Sequence, residues 1–471
     1  MSDSITHFSG EDPSFRKHPP EPDAELRFVP PHIEEARLSN GLRILLVERH
    51  DMPIVAMQII VDRGLDLQHA PGVATLTATM MFTGTQSRSA LQLSDDLEAI
   101  GARYGSWADH DGMGVSGQAL QNRFPELMAI IADVVRHPAF LQKELERERA
   151  KRLSLLAAER DDPDAQLENA VEEKIYPEGH PFHAPMYGDI ATIDKLGVED
   201  LVTLHRLAFR PAHATVAIAG NIDKTTAIAL VEKNLGDWTG ELVPREPHPE
   251  PQPLAKGEKR IVLIDRPGAS QSSVSLATVG IARKHPDYDA VTILNMIYGG
   301  QFSSRLNMNL REKHAYTYGA HSFFETRQLP GPFTAGAAVT TPATASAIRE
   351  MFAEMERLRQ ELVPEMELHH AKTNIIRKLP ARFETAAGTA QALGSLSVLG
   401  LPLDAFVSRQ VRAASVTAED VRRVAGLHMR PEDMRIFIVG DASIIQKDLE
   451  NLALGEIELR QPAAAELDER S

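Results

Sequence analysis

The sequence predicts an α+β protein built from two homologous half-domains related by an internal repeat, each a mainly antiparallel sheet covered by helices. Three observations predict it. First, two strand endings repeat. Phe209-Arg-Pro-Ala-His-Ala-Thr-Val-Ala-Ile-Ala-Gly220 resembles Met429-Arg-Pro-Glu-Asp-Met-Arg-Ile-Phe-Ile-Val-Gly440, with Pro211 and Pro431, like Gly220 and Gly440, 220 residues apart. Nearer the start of each half, Pro53 and Pro267 are 214 apart. Second, five prolines crowd into ten residues between the halves (Pro244, Pro247, Pro249, Pro251, Pro253). Such spacing favours an extended, semi-rigid linker and blocks helix and sheet interior alike. Third, strand and helix patterns interleave without the strict βαβ alternation of a doubly wound sheet.

Taken in order, residues 1–35 are polar and proline-bearing and read as an extended arm over the body or over a partner. They lack the basic start and apolar stretch of a secretory signal. The first repeat domain, 36–241, opens on a strand, Asn40-Gly41 and a second strand from Leu42; Asn-Gly favours a type I′ turn, with positive φ at both central residues. Leu93, Leu97 and Ile100 mark a helix closing on Gly101. Leu127, Ile130, Ile131, Val134 and Val135 mark another after Pro125. Residues 141–160 are a long charged helix with Leu141, Leu145 and Leu153 for its buried side. The linker is 242–257. The second repeat domain, 258–460, opens at Ile261, and the tail 461–471 reads as disordered.

At 471 residues the chain exceeds a single-domain length, in keeping with two cores. A formal net charge of −16 argues against nucleic-acid binding through bulk charge. Cys is absent, which excludes disulfides, thiolate metal sites and a Cys nucleophile. No apolar run is long enough to cross a bilayer. Membrane insertion is therefore not expected. The expected compartment is cytoplasmic, or periplasmic if a signal has been removed.

The segment Pro71-Gly-Val-Ala-Thr-Leu-Thr-Ala-Thr-Met-Met-Phe-Thr-Gly-Thr85 resembles the zinc helix of the pitrilysin/insulinase (mitochondrial-processing-peptidase-like) family of inverted zincins. In that family the helix reads Gly-Leu-x-His-x-x-Glu-His-Met-x-Phe-x-Gly-Thr. Two His at i and i+4 face one side and hold zinc, and the intervening Glu polarises the bound water. Gly72, Met80, Phe82, Gly84 and Thr85 match the frame. The ligand positions, however, hold Thr75 and Thr79, and the general-base position holds Ala78. The third ligand is a Glu on a later helix. Anchoring on Asp161-Asp162-Pro163 puts that position at Leu155, and counting alone gives Leu156. No Glu lies between Glu148 and Glu159. The resemblance therefore implies a degenerate site, with no catalytic residue and no metal in this chain. The other histidines supply no substitute. His369-His370 point apart on a helix, and His180 and His183 belong to a Gly-His-Pro turn. Asp109-His110-Asp111 falls where the family has an edge strand.

The second half carries Ser-Arg-Leu, Leu-Arg311-Glu and then Tyr318, after Gly299-Gly300; the run Ser303 to Arg311 has helical spacing. The half of these proteins without zinc bears an Arg and a Tyr seven residues apart in this frame. The resemblance implies that Arg311 and Tyr318 contact a peptide held at a partner's zinc. Guanidinium and phenol are suitable donors to a peptide backbone. Tyr316, two residues away, is the competing tyrosine. The family also holds peptides as an added strand, and the corresponding edge here is Ser106-Trp107-Ala108-Asp109. The expectation is a non-catalytic, substrate-binding subunit of a heterodimeric zinc metallopeptidase. Its partner is a homologous subunit that retains His-x-x-Glu-His and carries the zinc. The alternative is a non-proteolytic scaffold or binding subunit of a larger complex.

Overall fold

The computed structural model describes residues 28–252, 254, 258 and 260–461. Most of the expected N-terminal arm, part of the linker and all but the first residue of the expected tail lie outside the described residues. In chain order the first half comprises β1 (Glu34–Arg37), β2 (Arg43–Glu48), β3 (Ile54–Val61), α1 (Val73–Met80), α2 (Ala90–Ala99), β4 (Arg103–Ala108) and β5 (Met113–Leu120). It continues with α3 (Phe124–Arg136), α4 (Gln142–Glu159), α5 (Pro163–Ile175), α6 (Ile190–Lys195), α7 (Val198–Ala208), β6 (Ala214–Gly220) and α8 (Lys224–Leu235). The second half comprises β7 (Ile261–Asp265), β8 (Gln271–Val279), α9 (Tyr288–Tyr298), β9 (Thr317–Thr326), β10 (Pro330–Thr340), α10 (Thr344–Gln360) and α11 (Glu365–Lys378). It ends with α12 (Ala386–Val398), α13 (Ala405–Ser415), α14 (Ala418–His428), β11 (Arg435–Gly440), α15 (Ala442–Glu450) and β12 (Ile457–Arg460).

Each half builds one six-stranded sheet, in the orders β1-β2-β6-β3-β5-β4 and β12-β7-β11-β8-β10-β9. Five positions correspond one to one, and both sheets are mainly antiparallel; β2–β6 is parallel in the first, and β7–β11 and β12–β7 are parallel in the second. This is the two-sheet α+β architecture the sequence predicts. The repeated Gly220 and Gly440 end the equivalent strands β6 and β11. A Cβ on Gly220 would meet the Ile54 carbonyl oxygen at 2.2 Å, and one on Gly440 would meet Ser272 Oγ at 2.5 Å. Close approach of the neighbouring backbone and a positive φ (+143°) require glycine at 220, whereas at 440 the crowding atom is a serine side chain.

The helices are exchanged between the halves. One face of each sheet packs on its own half's helices in a large apolar core. The opposite face of the second sheet (Val262, Ile264, Phe437, Val439) is covered by Leu167, Ala170, Val171 and Ile175 of α5, which belongs to the first half. Reciprocally, Ala390, Leu393 and Val398 of α12 cover Leu45, Val47, Ala56 and Ile60 of the first sheet. The last residues before β1 also cross over. Phe28 meets the Phe383 ring at 5.5 Å, and its carbonyl accepts from Gln410 Nε2 at 3.0 Å.

A buried charged joint links the two halves where the β4–β5 turn meets α5 and the β9–β10 turn. Asp111 Oδ1 accepts the Gln328 N–H at 2.7 Å. His110 Nε2 lies 3.2 Å from Glu172 Oε1, and Arg327 Nη2 lies 3.7 Å from the same oxygen. Burial pushes the Glu172 carboxyl up to about 7 and that of Asp111 up to about 6, and it pushes His110 down to about 3. Asp109-His110-Asp111 is thus a structural joint just beyond the end of β4.

Three local expectations differ from what is found. The hairpin turn is not type I′, because only Gly41 has positive φ (+91°). Its N–H donates to the Leu38 carbonyl, and the Asn40 amide donates to the Leu235 and Trp238 carbonyls at 2.7 and 3.0 Å. The amide is committed to the end of α8, and the turn follows it. In α4, Leu141 is exposed at the helix start and Leu153 is half-buried, while Leu145, Glu148 and Leu156 are buried. The run before Arg311 is not a plain α-helix but includes a π-helical turn, Asn307–Lys313.

Candidate functional site

Two places bear on the chemistry. In the first half, α1 brings Thr75, Ala78 and Thr79 to a pocket of about 310 Å³. Ser106 and Trp107 of β4, Glu148, Lys151, Arg152 and Leu155 of α4, and Tyr187 complete its walls. Leu155 faces this pocket and is half exposed, whereas Leu156 turns away toward another cavity. The positions singled out on α1 and α4 are therefore neighbours in space.

Their chemistry is not that of a metal site. Thr79 Oγ1 donates to the Thr75 carbonyl at 2.9 Å, and Thr75 Oγ1 donates to the Gly72 carbonyl at 3.1 Å. Both hydroxyls are spent within their own helix turn. Ser106 Oγ donates to the Ala78 carbonyl at 2.6 Å and stitches β4 to α1. The one carboxylate in the pocket is Glu148, whose place there sequence reasoning missed because it lies in a run of alternating charge between Arg147 and Arg149. It sits 2.9 Å from Arg147 and 3.9 Å from Lys151. With no imidazole and one carboxylate already paired with cations, the residues do not fit a zinc ion.

Among the described residues, one group of three ligand-type side chains converges: His285, Asp287 and His428, in the second half. Chain separation hid this group from sequence reading. Its groups are already engaged. Asp287 binds Arg423 at 2.8 Å and His428 Nε2 at 3.0 Å. The Arg423 hydrogen bond is the main cause that draws the Asp287 carboxyl down to about 2. His285 Nδ1 accepts the Asp287 N–H at 3.1 Å. This is an ion-pair clamp between the start of α9 and the end of α14.

In the second half, the helix bearing Arg311 is anchored from below. Arg305, of the Ser-Arg-Leu frame, forms a two-pronged pair with Glu367 at 2.8 Å on both prongs. The buried Asn309 amide donates to Glu350 and Glu354 at 2.9 and 2.6 Å. Arg311 itself has no hydrogen bond from its side chain among the described residues; its ion partner is the adjacent Glu312, at 3.5 Å. Tyr318, at the start of β9, is 89% exposed. Tyr316 instead stacks on His314 at 5.0 Å and is half-buried. Of the two residues singled out by the frame, Tyr318 is exposed and Arg311 is half-buried; the competitor Tyr316 is half-buried and stacked.

The corresponding edge strands β4 and β9 are treated differently. On β9, the Ser322 N–H donates to the Gly299 carbonyl at 3.2 Å and the Ala320 N–H to Asn307 Oδ1 at 2.9 Å. The loop before the π-helical turn therefore covers that edge. On β4, no N–H donates to any group beyond β5 among the described residues. Its side carries unsatisfied backbone groups that an extended peptide can pair with.

Comparison with known proteins agrees with the two-sheet fold. The family model described as insulinase (peptidase family M16) matches residues 43–185, and that of the peptidase M16 inactive domain matches residues 195–375. An uncharacterized zinc protease of Rickettsia bellii is 25% identical over 366 residues, spanning 76% of this chain and 86% of that protein. A probable mitochondrial-processing peptidase subunit beta of Schizosaccharomyces pombe is 24% identical over 434 residues, 87% of this chain and 92% of that protein. In fold, the peptidase M16 inactive domain from Pseudomonas fluorescens superposes with a TM-score of 0.80 at 24% identity, covering 87% of this chain and 98% of that one. A protease from Helicobacter pylori gives 0.78 at 19% identity, covering 87% and 99%.

Proposed function

The chain belongs to the insulinase family of peptidases (family M16), and we propose that within it this polypeptide is the non-catalytic, substrate-binding subunit of a two-chain zinc peptidase acting on peptides. The observation that carries the reading is the pairing of a helix without ligands with an exposed Tyr and an Arg whose Nη groups bond no other residue among those described. Thr75, Ala78, Thr79 and Leu155 supply no metal ligand and no general base. Tyr318 is exposed, and Arg311 spends only its Nε side on the neighbouring Glu312. A homologous partner that keeps His-x-x-Glu-His would supply the zinc and its activated water. This chain's part is to bind and orient. The Arg311 fork donates in-plane N–H groups to backbone carbonyls of the peptide, and the Tyr318 hydroxyl donates to a carbonyl oxygen that gains charge during cleavage. The open β4 edge suits an extended peptide backbone without strict choice of side chains. Among the described residues no helix is long and apolar enough to cross a membrane.

The test is purification of the chain alone and together with a family member that retains His-x-x-Glu-His. Native mass, bound metal and hydrolysis of an unstructured peptide are then measured. The expected result is a mixed assembly that cleaves faster than either chain alone. Stoichiometric zinc in the isolated chain, or hydrolysis without a partner, would defeat the proposal. A stable assembly that never cleaves would favour the scaffold alternative.

A further inference from the structure

Arg311 is a long, flexible side chain with no hydrogen bond to hold it, yet a substrate contact gains most when its donor is already in place. One neighbour supplies that restraint. The Arg311 guanidinium carbon lies 4.6 Å from the centroid of the Phe302 ring, over its face. Phe302 is 67% exposed, and among the described residues its ring has no aromatic partner.

The ring is itself on a fixed mount. The Gly299 and Gly300 N–H groups both donate to the Asn295 carbonyl, at 3.0 and 2.7 Å. A Cβ on Gly299 would lie 2.6 Å from Ser322, so the bend is pressed against β9. Gln301, next to Phe302, accepts at its carbonyl from Asn307 Nδ2 and at its side chain from Asn374 Nδ2. The platform and the Arg-bearing π-helical turn are thus tied to the same frame.

We propose that Phe302 is the positioning residue for Arg311, holding the guanidinium by its π face, with Glu312 on the Nε side, while the Nη groups are left for a peptide carbonyl. This assignment rests on the reading of Arg311 as a substrate contact and deepens it. The attraction is electrostatic, between the cation and the electron-rich ring face, so an aliphatic side chain of similar bulk does not replace it and Trp does.

Two measurements test it. In the isolated full chain with ¹⁵N-labelled arginine, the Arg311 side-chain resonance should be shifted by the ring. The shift should vanish in Phe302→Leu and persist in Phe302→Trp. In the mixed assembly, Phe302→Leu should lower kcat roughly two- to fivefold, the worth of an exposed cation–π contact, with a smaller change in KM. Phe302→Trp should restore it, and Phe302→Leu should add nothing to Arg311→Ala. An unshifted resonance removes the stack and leaves the Arg311 reading standing. A shifted resonance with unaltered turnover in Phe302→Leu overturns the positioning role alone. A shifted resonance with full turnover in Arg311→Ala defeats the substrate-contact reading, and the positioning role with it.

Discussion

The two halves share a strand order and differ in what they present at the corresponding edge. In the first, β4 is open and stands beside an α1–α4 pocket stripped of metal ligands. In the second, β9 is closed by the loop from Gly299, with Tyr318 exposed at its start. Under the function proposed above, the difference would divide peptide recognition: one half offers backbone groups, and the other offers side-chain donors.

The largest effect should come from erasing the difference at α1. The combination Thr75→His, Ala78→Glu, Thr79→His and Leu155→Glu places the family's ligands on walls that already face one pocket. It should retain about one equivalent of zinc after dialysis, against none in the parent chain, as read by elemental analysis. A metal-free product would mean that the α1–α4 pocket has moved out of coordination distance. On the other side of the comparison, Arg311→Ala and Tyr318→Phe should each lower turnover of the mixed assembly by roughly tenfold to a hundredfold. Their unfolding free energies should stay within about 1 kcal/mol of the parent, since Tyr318 is exposed and Arg311 loses at most an exposed cation–π contact. A large drop in stability would show that these residues serve the fold instead.

The joint between the halves gives a smaller, pH-dependent effect. Burial raises the Glu172 carboxyl from 4.5 to about 7. A carboxyl raised on folding contributes its full stability below about pH 4.5 and loses it as pH climbs through about 7. Glu172→Gln removes that titration. The Tm difference between variant and parent should therefore move in the variant's favour from pH 6 to pH 8.5, by the equivalent of about 1 to 1.5 kcal/mol. A difference that stays flat with pH would mean that Glu172 remains ionised throughout, held by Arg327. The smallest effect is expected for Thr79→Ala, below about 0.5 kcal/mol in chemical denaturation, because its hydroxyl only bonds back to the preceding turn.

Much of the architecture was legible. The matched Pro211/Pro431 open equivalent short turns, and the matched Gly220/Gly440 end the equivalent strands β6 and β11 that follow. The stripes through Leu93–Leu97 and Leu127–Val135 became α2 and α3. What stayed hidden shares one cause: it depends on contacts distant in the chain. Periodicity shows that α5 and α12 each have an apolar face, but not that each face meets the other half's sheet. Asn40 reads as a turn former, and only the fold reveals that its amide caps the end of α8. Glu148 sits in a run of alternating charge, and nothing local distinguishes it from the solvated carboxylates beside it. The Phe302–Arg311 contact joins residues nine apart, a spacing that regular helix geometry does not bring together; the bend at Gly299-Gly300 and the π-helical turn bring them there.

The crossed roofing of the two sheets has a consequence for the chain's handling. A polypeptide cut at the proline-rich stretch would leave Leu45, Val47, Ala56 and Ile60 wet on one fragment, and Val262, Ile264, Phe437 and Val439 wet on the other. Either fragment expressed by itself would present an apolar sheet face to water, and each needs the other's helix to stay soluble.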